Sequence, residues 1–155
     1  MEQIEVLVDQ YGERLLRYAA SILTNYQDAE DVVQEVFITA FLQPSTIEIR
    51  NVSAWLFKIT YNKSINKIKK RKILPFAEVP IQEVDRTKNQ SLSDETLNAL
   101  ARLKPQERAL IFGRIVEGYN YDELAQQMGT NAATLRKQYE RAKDKFATIL
   151  EEDDL

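Results

Sequence analysis

The 155-residue chain is 44% hydrophobic and 29% charged, and its 21 Lys and Arg stand against 24 Asp and Glu for a formal net charge of −3. It has neither cysteine nor histidine, which excludes disulfides, argues against zinc and removes histidine-based acid, base or nucleophile chemistry. No apolar run approaches the roughly 20 residues needed to span a bilayer, and the start Met1-Glu2-Gln3-Ile4-Glu5 lacks the basic-then-apolar order of a signal peptide. The expectation is a soluble, cytoplasmic protein without membrane insertion, metal or cofactor. With only four glycines and four prolines, and long stretches rich in Leu, Ala, Ile, Glu, Gln, Lys and Arg, it should be all-α.

Charge is unevenly distributed. Before Arg50 the only cations are Arg14 and Arg17, among acids that include Asp28, Glu30, Asp31 and Glu35. From Arg50 to Lys72 come Arg50, Lys58, Lys63, Lys67, Lys69, Lys70, Arg71 and Lys72 with no acid between them, and the chain finishes Glu151-Glu152-Asp153-Asp154. Such polarity matters more than net charge for steering a polyanion.

Taken in order, Ile4, Leu7, Val8, Tyr11, Leu15, Tyr18, Ala19 and Ile22 recur at spacings of three and four and predict a first amphipathic helix. Ala29, Val32, Val33, Val36, Phe37, Ala40 and Phe41 predict a second, limited by Pro44. Asn51 is placed to cap a third, whose buried side would be Val52, Trp55, Leu56, Ile59, Ile65 and Ile68. Periodicity fails between Ile73 and Ser93, where Pro75, Pro80 and a polar run predict a flexible linker. Helix resumes after Ser93; Pro105 suits a first turn and Gly118 an end. Asn120 and Glu123 form a capping-box pattern, Gly129 closes that short helix, and Asn131 can cap the next. Short helix, glycine turn and second helix make a helix-turn-helix. Two small helical domains are therefore expected, at 1–72 and 94–155, joined by residues 73–93.

Three groups of residues carry the candidate chemistry. In the helix-turn-helix, Leu124, Ala125, Met128, Ala133 and Leu135 can pack the two helices. That leaves Arg136, Lys137, Gln138, Glu140, Arg141 and Lys143 for the outer face of the second, the side that enters a major groove. A hairpin that only packs is the alternative. The third helix sets Lys63, Lys67, Lys70 and Arg71 in a cationic stripe beside Asn62 and Asn66, with Trp55, Phe57 and Tyr61 as possible stacking platforms for opened DNA. The plainer alternative is a core tryptophan and solvated lysines. Asp28, Asp31 and Glu35 could suggest a metal-dependent hydrolase, but acids in a first turn also favour the helix dipole, and no second carboxylate-rich helix faces them. A solvated helix start or a protein-docking surface fits them better.

The stretch Asp28-Ala29-Glu30-Asp31-Val32-Val33-Gln34-Glu35-Val36-Phe37 resembles the polymerase-binding helix of bacterial sigma factors. Ser53-Ala54-Trp55-Leu56-Phe57-Lys58-Ile59-Thr60-Tyr61-Asn62 is similar to the start of their promoter-melting helix, and Tyr121 to Lys143 to their C-terminal helix-turn-helix. The order of the three motifs, the linker, and the lack of any extra N-terminal or intervening domain point to the extracytoplasmic-function group.

That resemblance implies a non-enzymatic protein that binds core RNA polymerase and directs promoter-specific initiation. Asp28, Asp31, Gln34, Glu35 and Phe37 would contact the polymerase clamp. Arg50, Asn62, Lys63, Asn66, Lys67, Lys70 and Arg71 would bind the minus-ten element, and Thr134, Arg136, Lys137, Gln138 and Arg141 the minus-thirty-five element. Promoter DNA and an anti-sigma factor complete the implied partners, and the free protein would rearrange its domains on binding polymerase. Two features depart from the family pattern: Asn66 stands where an acid is common, and Glu140 and Asp144 make the recognition helix less cationic than usual. An ordinary helix-turn-helix regulator, and a sigma-like protein without promoter activity, are the competing readings.

Overall fold

The computed structural model describes residues 2–43, 51–73 and 92–153, which form seven helices and no strand. α1 (Glu2–Leu23) ends at Thr24, which adopts a φ of 55°, an uncommon conformation for a β-branched residue. The Thr24 amide bonds to the Ala20 carbonyl at 2.7 Å and its hydroxyl donates to the Leu23 carbonyl at 2.7 Å. The sharp reversal places Asn25 as cap of α2 (Tyr26–Leu42), where its Oδ1 accepts the Asp28 amide at 3.0 Å. α3 (Val52–Ile73) starts as the sequence suggests, with Asn51 Oδ1 accepting the Ala54 amide at 3.0 Å. Leu15, Tyr18, Ala19 and Ile22 of α1 close a core with Ala29, Val32 and Val36 of α2 and Leu56 and Phe57 of α3.

The second group begins with α4 (Asp94–Ala101), whose cap Ser93 accepts the Thr96 amide at 3.1 Å. α5 (Pro105–Ile115) opens on its proline. α6 (Tyr121–Met128) is capped reciprocally: Asn120 Oδ1 accepts the Glu123 amide at 2.8 Å, and Glu123 Oε1 accepts the Asn120 amide at 3.0 Å. Gly129, at a φ of 70°, turns the chain in the left-handed region that a side chain disfavours. Asn131 Oδ1 then accepts the Thr134 amide at 2.8 Å at the start of α7 (Ala132–Asp153). Leu124 and Leu135 are fully buried between α6 and α7, whereas Ala133, expected to join them, faces solvent.

The two helical groups are not held apart. Apolar packing continues from α1 and α3 into α5 and α6, with ring centroids 5.7 Å apart for Tyr18 and Phe112 and 5.5 Å for Phe57 and Tyr119. A smaller cluster of Ala99, Leu100, Leu103, Ile111, Ala142 and Ile149 ties α4, α5 and α7 together. Of the expected linker, all but Ile73, Leu92 and Ser93 lies outside the described residues. The Leu92 amide donates to the Tyr26 hydroxyl, fastening the start of the second group to α2. No described helix is long and apolar enough to cross a membrane.

Candidate nucleic-acid and protein interfaces

On α2, Asp31, Gln34 and Glu35 point to solvent, and Asp28 is half-buried. Phe37 is only 9% exposed and belongs to the core. Its i, i+4 relation to Val33 and Phe41 reads equally well as an outer stripe, and only the angle at which α1 and α3 approach decides. The outward residues are Ile38, Phe41 and Leu42, each more than half exposed. Asp31, Gln34, Ile38 and Phe41 follow one another at spacings of three and four, so acids lead directly into an apolar strip on one side of α2. The periodicity puts Phe41 on the apolar face of α2, and the structure leaves it exposed at the end of that face. No group of three His, Cys, Asp or Glu among the described residues could hold a metal ion.

On α3 the expected cationic stripe divides in two. Lys58, Asn62, Asn66, Lys69 and Lys70 are exposed, and Lys63 is half-buried between them and the core. Lys67 and Arg71 lean toward α2: Lys67 Nζ lies 3.5 Å from Asp31 and 4.0 Å from Asp28, and Arg71 pairs with Asp28 directly. The acids assigned to polymerase and two of the cations assigned to DNA are thus each other's partners here. Phe57 and Tyr61 are core residues and cannot serve as stacking platforms, which leaves Trp55, half-buried, as the aromatic ring within reach of solvent on this helix. Arg50 lies outside the described residues.

On α7, Arg136, Lys137, Gln138 and Arg141 are exposed, with Thr134 half-buried at the helix start. Glu140 is paired with Lys143 at 3.3 Å, so the acid in the recognition helix is answered by a cation of the same helix. Two tyrosines organise the cations on its flank. The Arg114 guanidinium lies 4.6 Å from the Tyr121 ring centroid and 5.6 Å from that of Tyr139, the two rings meeting edge to face at 6.1 Å. Arg136 rests 5.4 Å from the Tyr121 centroid, and Lys143 lies 5.7 Å from that of Tyr139.

Sequence reasoning did not find the polar contacts of the seam between the helical groups. Arg14 donates from Nε and Nη2 to Glu117 Oε1, at 3.0 and 2.6 Å, while its guanidinium packs on the rings of Tyr11 and Phe57. Glu117 keeps 6% of its side-chain surface exposed, and the bond to it raises the Arg14 pKa above the ordinary guanidinium value. The hydroxyls of Ser53 and Tyr119 share a hydrogen bond of 2.7 Å. A signal did exist: Arg14 continues the stripe Leu7, Tyr11, Tyr18 at the same spacings, and a cation on an apolar stripe calls for a buried partner.

Comparison with known proteins follows the same division. Residues 7–73 match the family Sigma-70 region 2 and residues 93–146 the family Sigma-70, region 4. The chain is 27% identical over 160 residues to the ECF RNA polymerase sigma factor SigE of Mycolicibacterium smegmatis; this match covers 97% of the chain and 62% of that protein. Against SigL of Mycobacterium tuberculosis, identity is 28% over 162 residues, covering 96% and 89%. Among solved structures, the sigma factor RpoE in complex with the anti-sigma factor NepR from Bartonella quintana shares the fold at a TM-score of 0.80 and 23% identity, over 97% of this chain and 98% of that one. CnrH, in complex with the cytosolic domain of CnrY, does so at a TM-score of 0.71 and 24% identity, over 97% and 88%. With both regions present in order, the chain belongs to the sigma-70 family, in its extracytoplasmic-function group of RNA polymerase sigma factors.

Proposed function

We propose that this protein binds core RNA polymerase and directs promoter-specific initiation in the cytoplasm, as a binding protein rather than an enzyme. α2 would dock on the polymerase clamp through Asp31, Gln34 and Glu35, extended by Ile38, Phe41 and Leu42. α3 would hold the minus-ten element through Lys58, Asn62, Lys63, Asn66 and Lys70, with Lys67 and Arg71 joining when polymerase takes the α2 acids. Strand opening is then binding work, the capture of unstacked bases by a cationic track and an aromatic ring, and needs no catalytic residue. α7 would read the minus-thirty-five element from the major groove through Thr134, Arg136, Lys137, Gln138 and Arg141. Residues 1–72 and 94–155 would act as the two promoter-binding domains. An anti-sigma factor is the natural regulator of such a chain.

The observation that carries this reading is the pair of separate, solvent-facing cationic helices, one behind a capped glycine turn and one beside an acidic and apolar docking strip. An ordinary duplex-binding regulator needs only the first. The two promoter elements lie about 25 base pairs apart, or about 85 Å along the duplex. A compact chain of this length has a radius of gyration of about 15 Å. The docked arrangement therefore belongs to the free protein, and the two groups separate on polymerase.

Run-off transcription with purified bacterial core polymerase on pooled genomic promoters tests the proposal. Initiation that depends on the protein at a defined promoter set is expected. Binding to duplex DNA with no association to polymerase would make it an ordinary helix-turn-helix regulator instead.

A further inference from the structure

From the rings flanking α7 we infer that Tyr121 is a specificity-determining positioning residue, which holds Arg136 in one place so that it reads one base pair of the upstream element. This inference rests on α7 being the recognition helix.

Four side chains that could reach DNA project from α7, and they are not equivalent. Lys137, Gln138 and Arg141 are exposed and make no ion pair, hydrogen bond or ring contact among the described residues. Arg136 alone of the four is laid against an aromatic face, that of Tyr121. The ring itself is anchored from behind. Arg114 Nη1 donates to the Tyr119 carbonyl at 3.0 Å, fixing its guanidinium, which packs on both Tyr121 and Tyr139. Tyr139 closes the stack edge-on against Tyr121. The order is therefore backbone carbonyl, guanidinium, ring, guanidinium, running from the interior to the surface.

A free arginine has several rotamers to lose when it binds, and that loss weighs against every base equally. An arginine already stacked loses less, but only for the base that its fixed position can reach. Bidentate recognition of a guanine edge is demanding in geometry, so a fixed guanidinium converts directly into sequence preference. Arg136 becomes the principal reader and its neighbours the adaptable or phosphate-binding ones. The ring performs this task, so its hydroxyl is dispensable.

The test is transcription by polymerase carrying the full-length chain, on a promoter library with the upstream element randomised and the transcribed templates sequenced. Arg136→Ala identifies the base pair that Arg136 reads, and its loss of preference there should exceed that of Lys137→Ala or Arg141→Ala. Tyr121→Leu should reduce preference at that same base pair by about two- to fivefold, the worth of one exposed cation–ring contact, and leave the other positions unchanged. Tyr121→Phe should behave as the wild type. Melting curves on all variants establish that they fold, and Tyr121→Met, which also removes the ring and carries the same expectation, takes the place of the leucine variant if that one does not. The inference is overturned if Tyr121→Leu keeps the wild-type preference, if it weakens all templates alike, or if Tyr121→Phe loses the preference. A wild-type chain with no upstream preference would overturn the recognition-helix reading, and this inference with it.

Discussion

Arg14 of α1 and Glu117, two residues beyond α5, are 103 positions apart in sequence and joined at 2.6 Å. The carboxylate is nearly closed off from solvent while the guanidinium is partly wet, so the pair is worth more than a surface bridge and less than a fully buried one. Glu117→Gln should cost about 1–2 kcal/mol of stability, lowering the melting temperature by about 2–8 °C. The same change should shift the free protein toward a larger radius of gyration in solution scattering. An exchange of the two charges, Arg14→Glu with Glu117→Arg, should recover part of the loss. A single substitution that leaves both the melting curve and the scattering profile unchanged would mean the bridge does not hold the seam.

Local structure was largely legible from the sequence. Asn51, Ser93, Asn120, Gly129 and Asn131 announce helix ends because a cap is satisfied by its own neighbours within four residues. The exposed face of α7 followed from periodicity alone. What was not legible depends on how helices from distant parts of the chain meet. The pairing of Lys67 and Arg71 with Asp28 and Asp31 is of this kind, as is the place of Phe37. A helical stripe says which residues share a side, not which other helix will cover it.

Gly113 illustrates the limit and supplies a prediction. Nothing in its sequence surroundings marks it, yet a Cβ there would lie 2.6 Å from Leu124 Cδ2, at the point where α5 crosses α6. Leu124 is itself fully buried, so its side chain would have to repack inside the core. Although alanine favours helix over glycine, Gly113→Ala should destabilise the protein by about 1–3 kcal/mol. A denaturant midpoint at or above the wild-type value would show that α6 can shift outward without loss.

Four phenols should give the protein an alkaline limit. Burial is the main cause holding Tyr18, Tyr26, Tyr61 and Tyr119 above their ordinary pKa. In the unfolded chain these groups ionise near pH 10. Below that pH they are neutral in both states and their contribution is fully present. Above it the unfolded chain releases protons that the folded chain retains, so stability falls as pH rises. Thermal melts at pH 8, 9, 10 and 11 should be flat at first and then drop. Tyr119→Phe should blunt the drop at the cost of the Ser53 hydrogen bond.

Arg108 is 8% exposed, its Nε has no hydrogen-bond partner, and burial together with the nearby charge of Arg71 pushes its pKa down. A buried cation with an unsatisfied Nε, and only the neighbouring Glu107 charge in its favour, opposes folding. Arg108→Met, similar in length and apolar, should therefore raise the melting temperature by several degrees, about 2–4 °C for each kcal/mol gained. A fall instead would show that the guanidinium is satisfied in solution by groups around the α3–α5 seam.

The last prediction concerns the coupling of the two proposed surfaces on α2 and α3. Asp28 and Asp31 pair with Lys67 and Arg71, so two cations of α3 are already engaged within the chain. A polymerase that engages the α2 acids would release them, making single-strand capture stronger in the complex than in the free chain. Asp28→Asn with Asp31→Asn imitates that release without polymerase. Affinity for a single-stranded oligonucleotide should rise, and the slope of log affinity against log salt should steepen by about 1.4, from two freed cations each contributing about 0.7. Asp31→Asn alone leaves Arg71 paired with Asp28 and should give less than half of that change. An unaltered slope in the double variant would mean that Lys67 and Arg71 already reach the strand while paired, and the two surfaces would then act independently.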